Sequence, residues 1–289
     1  MVKKRVFLLA GIIAAGAALY AAKVVQDPTP KLGSQGLQLV AIPSLGAEVF
    51  YLDAASIVKR GPPRMLVVRF AGPVDLVPHH FAKDAMQRAA PIEEWSERLQ
   101  APIVFNAGQF DEKLNHLGWL KADGAWLFSD RKSQWKGLLV SGPVEGGAFG
   151  GIIDLEHASP NITDAYLHVV QSMMLIDEES QVRVRDTDKT ACRTVVAQDD
   201  KGRLLILVSE GAITLGDLAR WLGESNLGIA RAMNLDGGIE AQIAISTPEL
   251  KLALYGQYGT GTNVFENVGP VRFPLPAVIA VRAAKVPAK

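Results

Sequence analysis

The chain has 289 residues, 48% hydrophobic and only 21% charged, which is enough to bury a full core and is not the composition of a disordered polymer. Thirty basic residues balance thirty acidic ones, so there is no basic excess to wrap a phosphate backbone, and whole-surface binding to nucleic acid is excluded. Cys192 is the single cysteine, which excludes an internal disulfide and a thiolate metal cluster.

The first feature along the chain is a targeting pattern. Lys3, Lys4 and Arg5 precede an uncharged apolar run over residues 6–22, closed by Lys23. Residues 1–25 are therefore expected to be a signal peptide or membrane anchor. The basic end would stay in the cytoplasm while the remainder is exported to the periplasmic or extracellular face. The run sits at the short limit for a span, roughly 17–25 residues. The residues around Leu19, Tyr20 and Ala21 fit a cleavage site poorly, so an uncleaved anchor in the inner membrane through residues 6–22 is preferred. Residues 26–36, QDPTPKLGSQG, form a polar Pro/Gly-containing linker, and residues 37–289 are expected to fold as one domain.

Beyond the linker, short strands dominate. They are expected over 37–42, 48–52, 65–70, 103–105, 118–120, 152–155 and 166–176. Two more, over 192–197 and 204–208, flank Gln198-Asp-Asp-Lys-Gly202 and predict a hairpin. A last apolar strand is expected over 278–281. One helix is expected across 84–100, interrupted or restarted at Pro91. Another begins after Thr214, a plausible N-cap, with Leu215, Leu218, Ala219 and Leu222 on one face. The predicted class is α+β: a single domain with a largely antiparallel or mixed sheet and few helices.

The common catalytic signatures G-x-S-x-G, the P-loop and H-E-x-x-H are absent. His79-His80 with Asp84 lacks a third metal ligand, and Asp186-Thr-Asp188 among Arg183, Arg185 and Lys189 fits a solvated charged turn. Three other segments carry candidate chemistry. In Pro102-Ile-Val-Phe-Asn106-Ala-Gly108, a buried strand ends in an amide, and Gly108 lets backbone approach whatever occupies that end. In Cys192-Arg193-Thr194-Val-Val-Ala197, a guanidinium lies in an apolar run, where it must be paired. Its partner would be either a structural carboxylate or an anionic group of a ligand. In Asn234-Leu-Asp236-Gly237-Gly238, a strand brings two polar groups to one face and two glycines free the backbone that follows.

Taken in order, these segments resemble the phosphodiester glycosidase family. The matching pattern is Asn106-Ala107-Gly108 with Phe110, then Arg193-Thr194, Glu210-Gly211, Thr214-Leu215 with Leu218-Ala219, and Asn234 to Gly238. Gln171-Ser172 in the long central strand also looks like a family position. The resemblance implies hydrolysis of a sugar-1-phosphodiester at its glycosidic bond, releasing sugar and phosphomonoester. On that chemistry Asp236 is the candidate carboxylate at the anomeric carbon and Arg193 the holder of phosphate charge, while Glu240, at a position where the chain departs from the family, is a second carboxylate that would supply acid–base function or an ion pair with Arg193. Asn106, Gly108, Thr194, Asn234, Gly237 and Gly238 are the implied substrate-binding residues. No cofactor and no metal is expected. The expected partners are a sugar phosphate or glycan, and the membrane through the N-terminal segment. One departure stands out: the family's third Gly and following Ser are replaced by Ile239 and Glu240. That departure keeps open an alternative, a membrane-anchored protein that binds a glycan or phosphorylated polymer without cleaving it.

Overall fold

The computed structural model describes residues 40–84, 86–145, 150–259 and 270–284. The N-terminal basic cluster, the apolar run 6–22 and the linker lie outside the described residues. Among the described residues no helix is long and apolar enough to cross a membrane. All of them belong to one compact unit that begins at Gly36.

Among the described residues, sixteen strands form two sheets. The larger is built from β1 (Val40–Ile42), β2 (Ala47–Asp53), β3 (Arg64–Phe70), β6 (Leu120–Ala122), β7 (Ala125–Phe128), β8 (Gly137–Pro143), β9 (Gly150–Asp154), β10 (Tyr166–Ile176), β11 (Thr194–Asp199), β12 (Leu204–Ser209) and β13 (Ile229–Asn234). The smaller has the order β15 (Lys251–Tyr255), β14 (Gln242–Ser246), β5 (Ile103–Asn106), β16 (Ala277–Ala283) and β4 (Val74–His80). Every pairing in both sheets is antiparallel. Only two α-helices accompany them among the described residues, α1 (Ile92–Leu99) and α2 (Leu215–Glu224). The expectation of an α+β class is corrected accordingly: the architecture is closer to all-β.

Alternation of side chains across each strand explains the layering. In β11 and β12, Val196, Ile206 and Val208 point to the core between the sheets, while Val195, Ala197, Leu205 and Leu207 point to α2. In β5 and β16, Ile103, Phe105, Ile279 and Val281 point inward, while Val104, Val278 and Ala280 point to α1. These central strands are buried on both faces, so their sequences are continuous apolar runs rather than alternating ones. Trp95 anchors α1: it is fully buried, and its Nε1 donates to the Leu275 carbonyl at 3.0 Å. Removing such a ring typically costs about 3–5 kcal/mol.

Local chemistry sets the boundaries. Thr214 caps α2 by accepting from the Asp217 amide at 3.1 Å. The other helix is shorter than the expected 84–100, because Pro91 disfavours helical geometry in the residue before it, and helix begins only at Ile92. The β11–β12 connection is held by Asp199, whose Oδ1 accepts from the amides of Lys201 and Arg203. Strand β4 is absent from the sequence expectations because it contains Pro78. It is an edge strand, where proline is tolerated.

Candidate active site

Strand ends from both sheets converge at one place. Asn106 is the last residue of β5 and Gln242 the first of β14, both in the smaller sheet. Thr194 opens β11 and Asn234 closes β13, both in the larger. Asn106 ties these ends together and uses all of its side-chain amide. Its Oδ1 accepts from Thr194 Oγ1 at 2.7 Å and from the Gln242 amide at 3.1 Å. Its Nδ2 donates to the carbonyls of Asp236 at 3.0 Å and Ala107 at 3.1 Å. Asn106, Thr194 and Asn234 are buried. Asn234 Oδ1 has no partner among the described residues, while Nδ2 donates to the Leu235 carbonyl and the Asn234 carbonyl accepts from Ser172 Oγ at 2.6 Å. Gln171, next to Ser172, is wholly buried and clamps the loop that follows β7 through the carbonyls of Lys132 and Trp135, each at 2.8 Å.

The knot fixes the chain that follows β13. The Leu235 amide donates to the Thr194 carbonyl at 2.9 Å and the Asp236 amide to the Ala107 carbonyl at 3.2 Å. The Gly237 amide then donates to Asp236 Oδ1 at 2.9 Å, and the Gly238 amide to the Cys192 carbonyl at 2.9 Å. Both glycine amides are thus spent within the protein. A Cβ on Gly237 would sit 2.7 Å from the Cys192 carbonyl oxygen, and Gly238 has φ +80°, so neither position accepts a larger residue without distortion. Gly108 makes room for a neighbour too: a Cβ there would lie 2.8 Å from the His116 ring.

A cavity of about 410 Å3 opens beside this turn. It is lined by Gln109 and Phe110 after β5, by Ala191 and Arg193, by Asp236 to Glu240, and by Gly259. Of the residues singled out in the sequence, Arg193, Asp236, Gly237, Gly238 and Glu240 line it. Asn106, Gly108, Thr194 and Asn234 stand behind its wall. Gln109, Ala191 and Gly259 carry no signature that would have marked them. A second hollow, about 450 Å3 between Phe50, Arg69 and Trp221, contains none of the motif residues.

Arg193 lies just before β11 rather than inside it. Its Nε donates to the Ile213 carbonyl and one terminal nitrogen to the Lys189 carbonyl, both at 3.0 Å. Its pairings are therefore with backbone rather than with a carboxylate. The other terminal nitrogen, Nη1, lies 3.4 Å from the Cβ position of Gly237. Burial draws the guanidinium down to about 10, against the opposing fields of Cys192 and Asp236. Burial also pushes Asp236 up to about 7, against the Gly237 amide and Arg193. Glu240 is pushed up to about 8 by burial and then by the charge of Asp236. The pair thus retains a proton near neutral pH, the condition under which one carboxyl group can act as acid while its partner stays ionised.

The remaining candidates lie elsewhere. His79 Nδ1 contacts Asp84 Oδ1 at 3.0 Å, and no group of three metal-ligating side chains occurs among the described residues. Asp186 pairs with Arg220 at 2.8 Å. Cys192 is buried, and its thiol, raised by that burial, donates to the Glu210 carbonyl at 3.3 Å.

Residues 100–281, more than half of the chain, match the family model described as phosphodiester glycosidase, NAGPA. Among solved structures, the catalytic domain of zebrafish N-acetylglucosamine-1-phosphodiester alpha-N-acetylglucosaminidase, auto-inhibited by its pro-peptide, superposes with a TM-score of 0.58 at 15% identity. The match covers 86% of this chain and 87% of that one. A hypothetical protein from Synechocystis superposes with a TM-score of 0.52 at 14% identity, over 82% of this chain and 62% of its own. None of the curated proteins matches the chain.

Proposed function

The chain belongs to the phosphodiester glycosidase family, a family of hydrolases, and on that premise we propose that it hydrolyses the glycosidic bond of a sugar-1-phosphodiester. The products are the free sugar and a phosphomonoester. The observation that carries the reading is the meeting of Asp236 and Arg193 in one cavity beside a turn that admits only glycine.

The phosphoryl group leaves as an anion and needs its charge held more than it needs a proton. The Nη1 edge of Arg193, without a hydrogen bond among the described residues, is suited to that task, and two backbone carbonyls fix the guanidinium in place. As the bond breaks, the anomeric carbon gains positive charge, which the Asp236 carboxylate stabilises or attacks. The Gly237 amide orients that carboxylate through Oδ1. Asn106 and Thr194 position Asp236 from behind by fixing its backbone, and Gln109 and Phe110 offer a wall for the sugar. The basic cluster before residues 6–22 supports export, with the substrate in an envelope or extracellular glycan and the protein held at the membrane by its N-terminal segment.

The test incubates the full-length protein with a panel of sugar-1-phosphodiesters in 18O-labelled water. Label in the sugar, with turnover lost in Asp236→Asn, is the expected result. Label in the phosphate would mean attack at phosphorus and would overturn the reading. Tight binding without turnover would favour the glycan-binding alternative.

A further inference from the structure

The cavity around Asp236 is poor in cations and well supplied with a proton. Among its described lining residues, Arg193 is the one cation, facing the two carboxyl groups of Asp236 and Glu240. Two of the three guanidinium nitrogens are already given to the carbonyls of Ile213 and Lys189. That is a thin provision for a phosphate group, which is held best by several charge-assisted donors. Glu240 ends the single 3-10 turn Gly238–Glu240, and its Oε2 folds back to within 3.1 Å of the Cβ position of Gly238. Its carboxyl group therefore lies over the Gly-Gly turn, in the same cavity as Asp236. The field of Arg193 acts on Asp236, and the charge of Asp236 in turn opposes ionisation of Glu240. The two carboxyl groups thus hold a proton between them, and Arg193 favours the ionised form of Asp236.

A phosphoryl leaving group makes little use of such a proton, whereas an alcohol cannot depart without one. Resting on the reading of Asp236 as the carboxylate at the anomeric carbon, we propose that this site also hydrolyses glycosides whose aglycone is a neutral alcohol, with Glu240 as the acid that protonates the departing oxygen. The bond between the anomeric carbon and the glycosidic oxygen breaks, and its electron pair goes to the oxygen. That oxygen takes the Glu240 proton and leaves as the alcohol, while Asp236 holds the positive charge on the carbon. Water then adds its oxygen to that carbon and returns a proton to Glu240. One water is consumed, and one sugar and one alcohol are released. The charge that acts on Glu240 is that of Asp236, and Arg193 lines the same cavity.

The experiment compares methyl glycosides, 2,4-dinitrophenyl glycosides and 1-phosphodiesters of the same sugars, using the full-length protein and Glu240→Gln. Methyl glycosides are expected to turn over in the parent. Glu240→Gln should lower kcat/KM on them by about 10^2–10^4-fold, but on the dinitrophenyl glycosides by about tenfold or less, since that leaving group needs no acid. The basic limb of the parent's pH profile on methyl glycosides should disappear with it. Cleavage of phosphodiesters without cleavage of methyl glycosides overturns the proposal and leaves the family reading intact. Cleavage of methyl glycosides alone supports the proposal and overturns the preference for phosphodiesters. Equal losses on methyl and dinitrophenyl glycosides in the variant make Glu240 a structural residue and overturn its role. Should the variant not fold, the parent's rates on an aryl glycoside series decide. A nearly flat dependence on leaving-group acidity is expected, and a steep one overturns the proposal.

Discussion

Two halves of one short motif behave in opposite ways. On the inner side, Asn106, Thr194 and the backbone of Leu235 and Asp236 form a knot in which every polar atom of the Asn106 side chain is paired. On the outer side, Asp236 and Glu240 face a cavity whose described lining holds one guanidinium, and the pair keeps a proton near neutral pH. The contrast separates two reasons for a buried polar residue. The knot joins strand ends from two sheets, whose polar groups would otherwise be buried unpaired. The rim keeps two buried carboxyl groups whose ionisation is opposed, an arrangement that costs stability and is typical of sites that do acid–base chemistry.

The contrast is broken most decisively at Asp236. Asp236→Asn should lower kcat/KM by about 10^3-fold or more without lowering the melting temperature, since the amide keeps the shape and relieves a buried charge. Steady-state kinetics alongside calorimetry checks both parts. The opposite signature is expected at Asn106. Asn106→Ala leaves the Thr194 hydroxyl, the Gln242 amide and the Asp236 carbonyl without these partners, while the Ala107 carbonyl keeps the Asp236 amide, so denaturant titration should show a loss of about 3–5 kcal/mol.

Arg193 belongs to both halves, and Arg193→Lys should therefore fail on both counts. A lysine cannot reach the two carbonyls and present a third edge at once. About 1–3 kcal/mol of stability should go with about 10^2-fold of activity. A loss of activity alone would assign the guanidinium wholly to the rim.

The dependence of stability on pH sharpens the comparison further. Asp236 and Glu240 hold their protons in the folded chain up to about 7 and about 8, whereas unfolded carboxyls release them near pH 4. Across that window the folded state binds more protons, so stability falls as pH rises. Buried His116, drawn down to about 3 by burial and then by His80, acts with the opposite sign and loses stability as pH falls below about 6.5. Between about pH 6.5 and 8 the carboxyl pair acts with little opposition. There Glu240→Gln should be more stable than the parent, a gain that should shrink in melts taken at pH 5. The smallest effect is expected from Thr194→Val, which deletes one bond of the knot and should cost about 1 kcal/mol by denaturant titration.

Some strands buried on both faces were legible in the sequence, whereas β8 and β14, buried in the same way, were not among the expected runs. Tyr166–Ile176 appears with its predicted limits, and Leu204–Ser209 extends its expected run by one residue. Strand β4 escaped because Pro78 argues against a strand unless its position at a sheet edge is known. The helical share was overestimated because residues 84–100 look continuous apart from Pro91, and the chain before that proline is not helical. At the site, the types of residue were legible but their destinations were not. Asn106 and Thr194 lie 88 positions apart, and nothing local says that the amide of one takes the hydroxyl of the other. Gly259 had no signal at all, since it reaches the cavity only through the packing of the chain after β15.

Strand β5, which ends in Asn106, is hydrogen-bonded on one side to β14 and on the other to β16. Both neighbours come from the last quarter of the chain, within residues 242–246 and 277–283. During synthesis, the strand that carries the keystone of the knot therefore emerges with two open edges, one of which waits for residues 242–246 and the other for residues 277–283. An apolar strand in that state is a template for pairing with other chains. Until those residues arrive, an open apolar edge favours separation of nascent chains from one another, and the candidate site is among the last parts of the described fold to close.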